Sequence, residues 1–274
     1  MRKHIKMFFT YLELIIVAII VLIPVLWIVG SSFGNSSSLA NAKMIPENPT
    51  IQNYVNLFKD TNFKLWYGNT LKVATVNMVC STIISTLSAY VFSRFRFRGK
   101  KIGLMAIMVI QMFPSFMAMT AIYVLYQNFG LLDNIYSLAL TYIAGQIPFN
   151  TWLMKGSLDG VSKSLDEAAM IDGASRIQIF IKIIIPLSMP MITFLAVNTF
   201  MSPWMDYVLP RLLISSDKKK TLAVGLYELI SGDTNNSYTL FASGAILVAV
   251  PITILYMCLQ RYLIYGVTAG ATKE

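Results

Sequence analysis

The chain of 274 residues is 56% apolar and 13% charged, with a net charge of +9; soluble domains carry roughly 25% charged residues. These proportions exclude a soluble fold, a disordered chain and a disulfide scaffold. One histidine (His4) and two cysteines (Cys80, Cys258) leave little room for clustered-ligand chemistry.

A helix crossing about 30 Å of hydrocarbon needs about 20 residues. Six charge-free stretches are long enough: Leu14–Ala42, Val73–Ser93, Ile102–Leu132, Asn134–Met154, Ile183–Met205 and Thr234–Gln260. They lack the strict alternation of barrel strands. The expectation is an all-α membrane protein of six transmembrane helices, near 12–33, 70–93, 102–126, 135–155, 184–206 and 240–262. Residues 1–11 form an N-terminus, 12–262 the membrane domain and 263–274 a tail.

The first stretch has the outline of a signal peptide: Arg2, Lys3 and Lys6, an apolar run, then Ala40-Asn41-Ala42. Its apolar run, Leu14–Gly30, is longer than a typical signal core and the cleavage-like site comes late. We read it as an uncleaved anchor. Cys80 and Cys258 both fall in spans and are expected to be unpaired.

Orientation follows from the short loops. Arg94, Arg96, Arg98, Lys100 and Lys101 occupy one turn, whereas residues 126–134 carry no Lys or Arg. The basic side is cytoplasmic by the positive-inside rule, so both termini are expected there. The net charge reports topology, and no nucleic-acid partner is expected.

No ionisable residue sits at the middle of a span, which argues against a carrier driven by an ion gradient. The remaining polar residues include Asn77, Gln111, Gln146, Asn150 and Asn198. Asn77, Gln111, Asn150 and Asn198 are candidates to line a passage for a neutral polar solute. Helix–helix hydrogen bonding is the competing reading for each. Asp206, at the end of the fifth span beside Trp204, reads as interfacial. Seven prolines in or at the ends of spans (Pro24, Pro114, Pro148, Pro186, Pro190, Pro203 and Pro251) suggest bent helices.

The cytoplasmic loop Lys155–Lys182 holds two helix starts. Ser164-Leu165-Asp166-Glu167 has the form of a capping box, with Asp166 and Glu167 suited to the positive end of the helix dipole. Asp172-Gly173 ends that helix, and Ser175-Arg176-Ile177-Gln178 is a second capping box. Ile177, Phe180, Ile181 and Ile184 then recur at helical spacing and predict one apolar face. Ala168 and Ala169 are small enough for a partner to approach closely.

Glu167-Ala168-Ala169, Gly173 and Ile183-Ile184-Ile185-Pro186 resemble the Glu-Ala-Ala signature of bacterial ABC importer permeases. Ile185 stands where that pattern has Leu. The tail Tyr262 to Lys273, with Gly266, Thr268, Ala269 and Gly270, resembles the end of the smaller permease subunit of maltose-type importers. Gln111-Met112-Phe113-Pro114 and Gly130-Leu131-Leu132-Asp133 fit that subgroup, and the resemblance spans the whole chain.

The resemblance implies a type I ABC importer permease fold (MetI-like) in a bacterial cell membrane. It implies a heterodimer with a second permease, two cytoplasmic ATPase subunits and an extracytoplasmic solute-binding protein. Ser164, Glu167, Ala168, Ala169 and Gly173, within a coupling loop at 156–183, would meet the ATPase. Gly266, Thr268, Ala269 and Gly270 would reach between the ATPase subunits. The expected solute is an oligosaccharide, first maltose or maltodextrin, with galacto-oligosaccharides or raffinose-type sugars as alternatives. The chain has no Gly-x4-Gly-Lys-Ser/Thr phosphate loop and is expected to bind no cofactor, metal or catalytic substrate; ATP and Mg belong to its partners. A secondary transporter or a membrane enzyme would need ionisable or catalytic groups that the spans lack.

Overall fold

The computed structural model describes residues 2–35, 43–231 and 237–271, and among these it contains helices and no strands. The helices are α1 (Arg2–Ser32), α2 (Gln52–Asp60), α3 (Phe63–Arg94), α4 (Lys100–Met112), α5 (Ser115–Asn128), α6 (Ile135–Asp159) and α7 (Lys163–Ile171). There follow α8 (Arg176–Leu187, through a π-helical turn at Phe180–Ile184), α9 (Met189–Met205), α10 (Val208–Leu213), α11 (Leu222–Ser231) and α12 (Tyr238–Ala271). The chain divides into two compact units, residues 1–64 with 225–251 and residues 65–224 with 252–274.

Among the described residues, three helical segments are long and apolar enough to cross a membrane: Lys6–Ser32, Phe63–Arg94 and Tyr238–Gln260. Two bent pairs raise the number to five. Lys100–Gln111 and Ser115–Asn128 meet at 94°, and Arg176–Leu187 and Met189–Met205 at 77°. The fourth expected span, 135–155, lies on α6, whose 25 residues are diluted by Gln146, Pro148, Asn150 and Thr151. The third expected span, 102–126, is therefore two helices. Phe113 and Pro114 are both extended, at ψ 124° and 118°. Proline lacks the N–H that would continue the ladder and pushes the residue before it out of the helical region. Pro24, Pro148, Pro203 and Pro251 lie inside continuous helices instead.

In the first unit, the end of α1 is tied to the segment that follows it. Asn53 donates to the carbonyls of Ser32 and Gly34, and the hydroxyls of Ser32 and Tyr54 are 2.8 Å apart. Ser243 of α12 donates to the same Ser32 carbonyl. Gly30 has to be glycine here: a Cβ would lie 2.0 Å from the Met44 carbonyl oxygen. The apolar body of α1 is bare among the described residues of this unit.

The second unit has two apolar cores. One gathers Val73, Tyr126, Leu138, Tyr142, Leu209 and Leu213. The other gathers Tyr90, Met154, Leu158, Ile179, Ile184 and Leu195. Asn77, fully buried, ties α3 to α6 and α9: its Nδ2 donates to Gln146 Oε1 at 3.1 Å and to the Thr199 carbonyl at 2.7 Å. Its Oδ1 accepts from Ser81.

The loop between α5 and α6 is clamped to the segment after α10. Asp133 has φ 55°, a left-handed conformation that Asp tolerates better than most residues. Its carboxylate accepts from the backbone N–H groups of Ser215 and Ser216, from the Ser216 hydroxyl and from Lys219 Nζ. Burial alone would raise its pKa. The Lys219 and Ser216 hydrogen bonds outweigh burial and hold the carboxyl well below the usual range.

Candidate functional site

The Glu-Ala-Ala segment lies on α7, and its start differs from the sequence expectation. Ser162 is the N-cap and accepts from the Ser164 N–H at 3.3 Å. Ser164 sits inside the first turn, its hydroxyl 2.7 Å from that of Ser162. The two serines compete for one role, and the earlier one takes it at the turn that leaves α6. Glu167 is consequently beyond the capping position and stands exposed.

The helix ends in a Schellman turn. Gly173 N–H donates to the Met170 carbonyl and Ala174 N–H to the Ala169 carbonyl, with Gly173 at φ 84°. Glycine populates that region without Cβ strain, which is why the sequence stops the helix there. The second capping box forms as expected: Ser175 N–H donates to Gln178 Oε1 at 2.7 Å, and Gln178 N–H to Ser175 Oγ at 3.3 Å.

The face of α8 is a correction. Ile177 and Ile181 are 71% and 54% exposed, while Ile179 and Ile184 are fully buried, with Phe180 and Ile183 half-buried. The inward stripe is 179, 180, 183 and 184, one turn of it π-helical. On α7, Asp166 is buried, and Ala169 and Met170 pack against the Tyr90–Met154 core. Leu165, Glu167, Ala168, Ile171 and Asp172 point outward. Ala169, expected on the docking face, therefore belongs to the underside. The exposed apolar pair Leu165 and Ile171 had no signal beyond its spacing, three residues to either side of Ala168.

This element is strapped to the end of α3. Arg94 Nε lies 2.9 Å from Asp166 Oδ2, and Arg94 Nη2 donates to the Val161 carbonyl at 2.9 Å. Tyr90 OH donates to the Arg176 carbonyl at 3.3 Å, and the Arg176 guanidinium stands over the Phe95 ring. Ser93 donates to Asp159 Oδ1 at 2.7 Å, and Lys155 to Oδ2 at 2.6 Å. Burial would raise the Asp159 pKa, but these two donors hold it below the ordinary value.

The polar residues of the spans separate into two groups. Asn77 and Asn150 are buried, and Gln111 and Asn198 are exposed. Asn77 spends its hydrogen bonds on Gln146, the Thr199 carbonyl and Ser81. Asp206 caps the end of α9 and accepts from Tyr142 OH at 2.8 Å. Cys80 and Cys258 are free thiols. The backbone of α12 stays helical to Ala271, so the expected tail continues the last helix. The side chains of Gly266, Thr268, Ala269 and Gly270 lie outside the described residues. No group of three metal-ligating side chains exists among the described residues.

Residues 81–268 match the family described as binding-protein-dependent transport system inner membrane component. The chain belongs to this family. Over 275 aligned residues it is 41% identical to the galactooligosaccharides transport system permease protein GanQ of Bacillus subtilis (strain 168), covering 99% of this chain and 97% of that protein. It is 42% identical to the maltodextrin transport system permease protein MdxG of the same organism, covering 96% and 95%. A solved bacterial ABC transporter involved in import of the acidic polysaccharide alginate superposes with a TM-score of 0.83 at 25% identity, covering 95% of this permease and 97% of that chain. The α7–α8 element lies within the matched family region.

Proposed function

We propose that this permease is one half of the translocation pathway of an ATP-driven importer of oligosaccharides, with maltodextrins as its solute. The observation that carries the reading is near-full-length identity of 41–42% to two sugar-importer permeases. A second permease completes the pathway, a solute-binding protein delivers the sugar outside, and two ATPase subunits bind inside, where they use ATP and Mg. The chain itself hydrolyses nothing. Neutral amides suit a neutral sugar, and Gln111 and Asn198 are the exposed members of that set.

The docking surface for the ATPase is the outward face of α7: Leu165, Glu167, Ala168 and Ile171. Two exposed apolar side chains flank a small one, so an intruding partner surface can reach the helix backbone. Glu167 adds a charge that a basic partner group can take. Both termini and this element are placed on the cytoplasmic side of the cell membrane, a reading supported by the Lys/Arg excess of the turn 94–101.

Galacto-oligosaccharides are the second reading, favoured by the 41% identity over 99% of this chain. The deciding experiment is uptake by vesicles containing the assembled transporter, with each sugar presented on its loaded binding protein. Maltodextrin uptake that depends on ATP supports the first reading. Uptake of galacto-oligosaccharides alone replaces it, and uptake without any ATPase removes the importer reading altogether.

A further inference from the structure

Building on the proposed docking of an ATPase at α7, we infer that Arg94 and Asp166 are positioning residues that join α7 to α3, so that movement of the coupling helix is delivered to a membrane span.

Three observations carry this. The two side chains are 2% and 5% exposed, so the pair is sealed from water. It is the only ion pair among the described residues joining the docking helix α7 to a membrane-spanning helix. Third, the pair is a poor device for plain stability. Nε and Oδ2 are 2.9 Å apart, yet the N–H is not aligned for a hydrogen bond, and Arg94 Nη1 and Asp166 Oδ1 have no partner. A buried ion pair with incompletely matched groups repays its desolvation badly, and apolar residues of the same size often do as well. What it supplies is a fixed position: each charge, once buried, cannot leave the other.

The geometry makes the joint directional. Arg94 is the last residue of α3, and Asp166 lies on the buried side of the first turns of α7, with Glu167 and Ala168 outward. A load on the outward face is carried through one helix diameter to the end of α3. The Arg94 bond to the Val161 carbonyl pins the linker just before α7, so the helix cannot pivot about its own start. Without the pair, α7 can still be held by the ATPase, but its movement is taken up locally instead of reaching α3.

The test uses the complete transporter in vesicles, with Cys80 and Cys258 replaced by Ala. Three quantities are read: ATPase retained, ATP hydrolysis stimulated by the loaded binding protein, and sugar taken up per ATP. In R94Q/D166N, where no charge is buried, retention and stimulation are expected within twofold of the parent, and uptake per ATP lower by at least fivefold. In R94C/D166C, unlinked, the same loss is expected. Linking the two thiols with a series of bifunctional thiosulfonates should restore uptake per ATP to within twofold at one linker length. A merely structural pair would lower all three quantities together and would not be rescued. Normal uptake per ATP in both unlinked variants overturns the inference, as does failure of every linker to rescue. If neither variant inserts, the pair is a folding determinant and the inference falls. Failure of the parent chain to retain any ATPase would instead count against the proposed docking.

Discussion

At Gly173 the left-handed turn leaves no room for compromise. A side chain there meets open space, but φ 84° strains any L-residue, so the damage is to the backbone and not to packing. Gly173→Asp is expected to insert normally and to lose most binding-protein-stimulated ATP hydrolysis, because α8 leaves α7 at a different angle. The neighbouring alanines separate two mechanisms. Ala168→Trp should release the ATPase while leaving the fold at wild-type stability. Ala169→Trp instead forces bulk into the Tyr90–Met154 core, where overpacking costs about 1–3 kcal/mol. Co-purification of the ATPase together with thermal melting distinguishes them; equal ATPase retention in the two variants would refute the assignment of faces. On the other side of the chain, Asp133 gives a pH signature. Its folded pKa is depressed, so its contribution is complete above the ordinary carboxylate value of about 3.9 and drains away as pH falls toward the lower folded value. Asp133→Asn should have a lower melting temperature at pH 6 and a flatter decline between pH 5 and pH 3. Parallel melting curves for variant and wild type would show that the clamp does not matter.

Among the helices, Asn77 tests whether the interior amides are packing or pathway. Asn77→Leu strips partners from Gln146, from the Thr199 carbonyl and from Ser81 at once. Leaving a buried polar group unsatisfied costs about 1–3 kcal/mol each. The expected result is a lower melting temperature and less assembled transporter, with normal uptake per ATP in what remains. Normal assembly with slowed uptake would return Asn77 to the passage. Charge-free length located the long helices from sequence because hydrocarbon thickness imposes it locally. The Ser175 capping box was legible for a similar reason, since all its atoms lie within four residues. The break at Pro114 was legible as a proline but not as a 94° turn, because four other span prolines leave their helices continuous. The choice of Ser162 over Ser164 depends on where α6 delivers the chain. The inward register of α8 was not legible because residues 179, 180, 183 and 184 also recur at helical spacing, and only packing on the Tyr90–Met154 core chooses between the two stripes. Arg94 and Asp166 are 72 positions apart in the sequence, and no local pattern joins them.

For the molecule as a whole, the distribution of exposed apolar surface says what is missing around it. The body of α1 is left uncovered by the described residues of its own unit, and in the other unit α4 and α5 carry Ile102, Met112, Phe113, Phe116 and Met117 at the surface. Hydrocarbon can cover the regular helices. At the Pro114 break, however, backbone groups leave the helical ladder, and such groups within a bilayer need protein or water beside them. In the proposed assembly, a second permease and the aqueous passage between the two would provide both. The sides follow from a separate argument. The basic turn 94–101 and the α7–α8 element are joined through Arg94 and Asp166, so they share one side of the membrane, and the Lys/Arg excess supports the proposal that this side is cytoplasmic. In a background lacking native cysteines, Ile45→Cys should react with a membrane-impermeant maleimide added to intact cells, as Ile45 is 81% exposed beyond the end of α1. Ser162→Cys should react only after the membrane is opened. Labelling of Ser162→Cys in intact cells, with Ile45→Cys protected, would invert the topology and place the α7 face out of reach of any cytoplasmic ATPase.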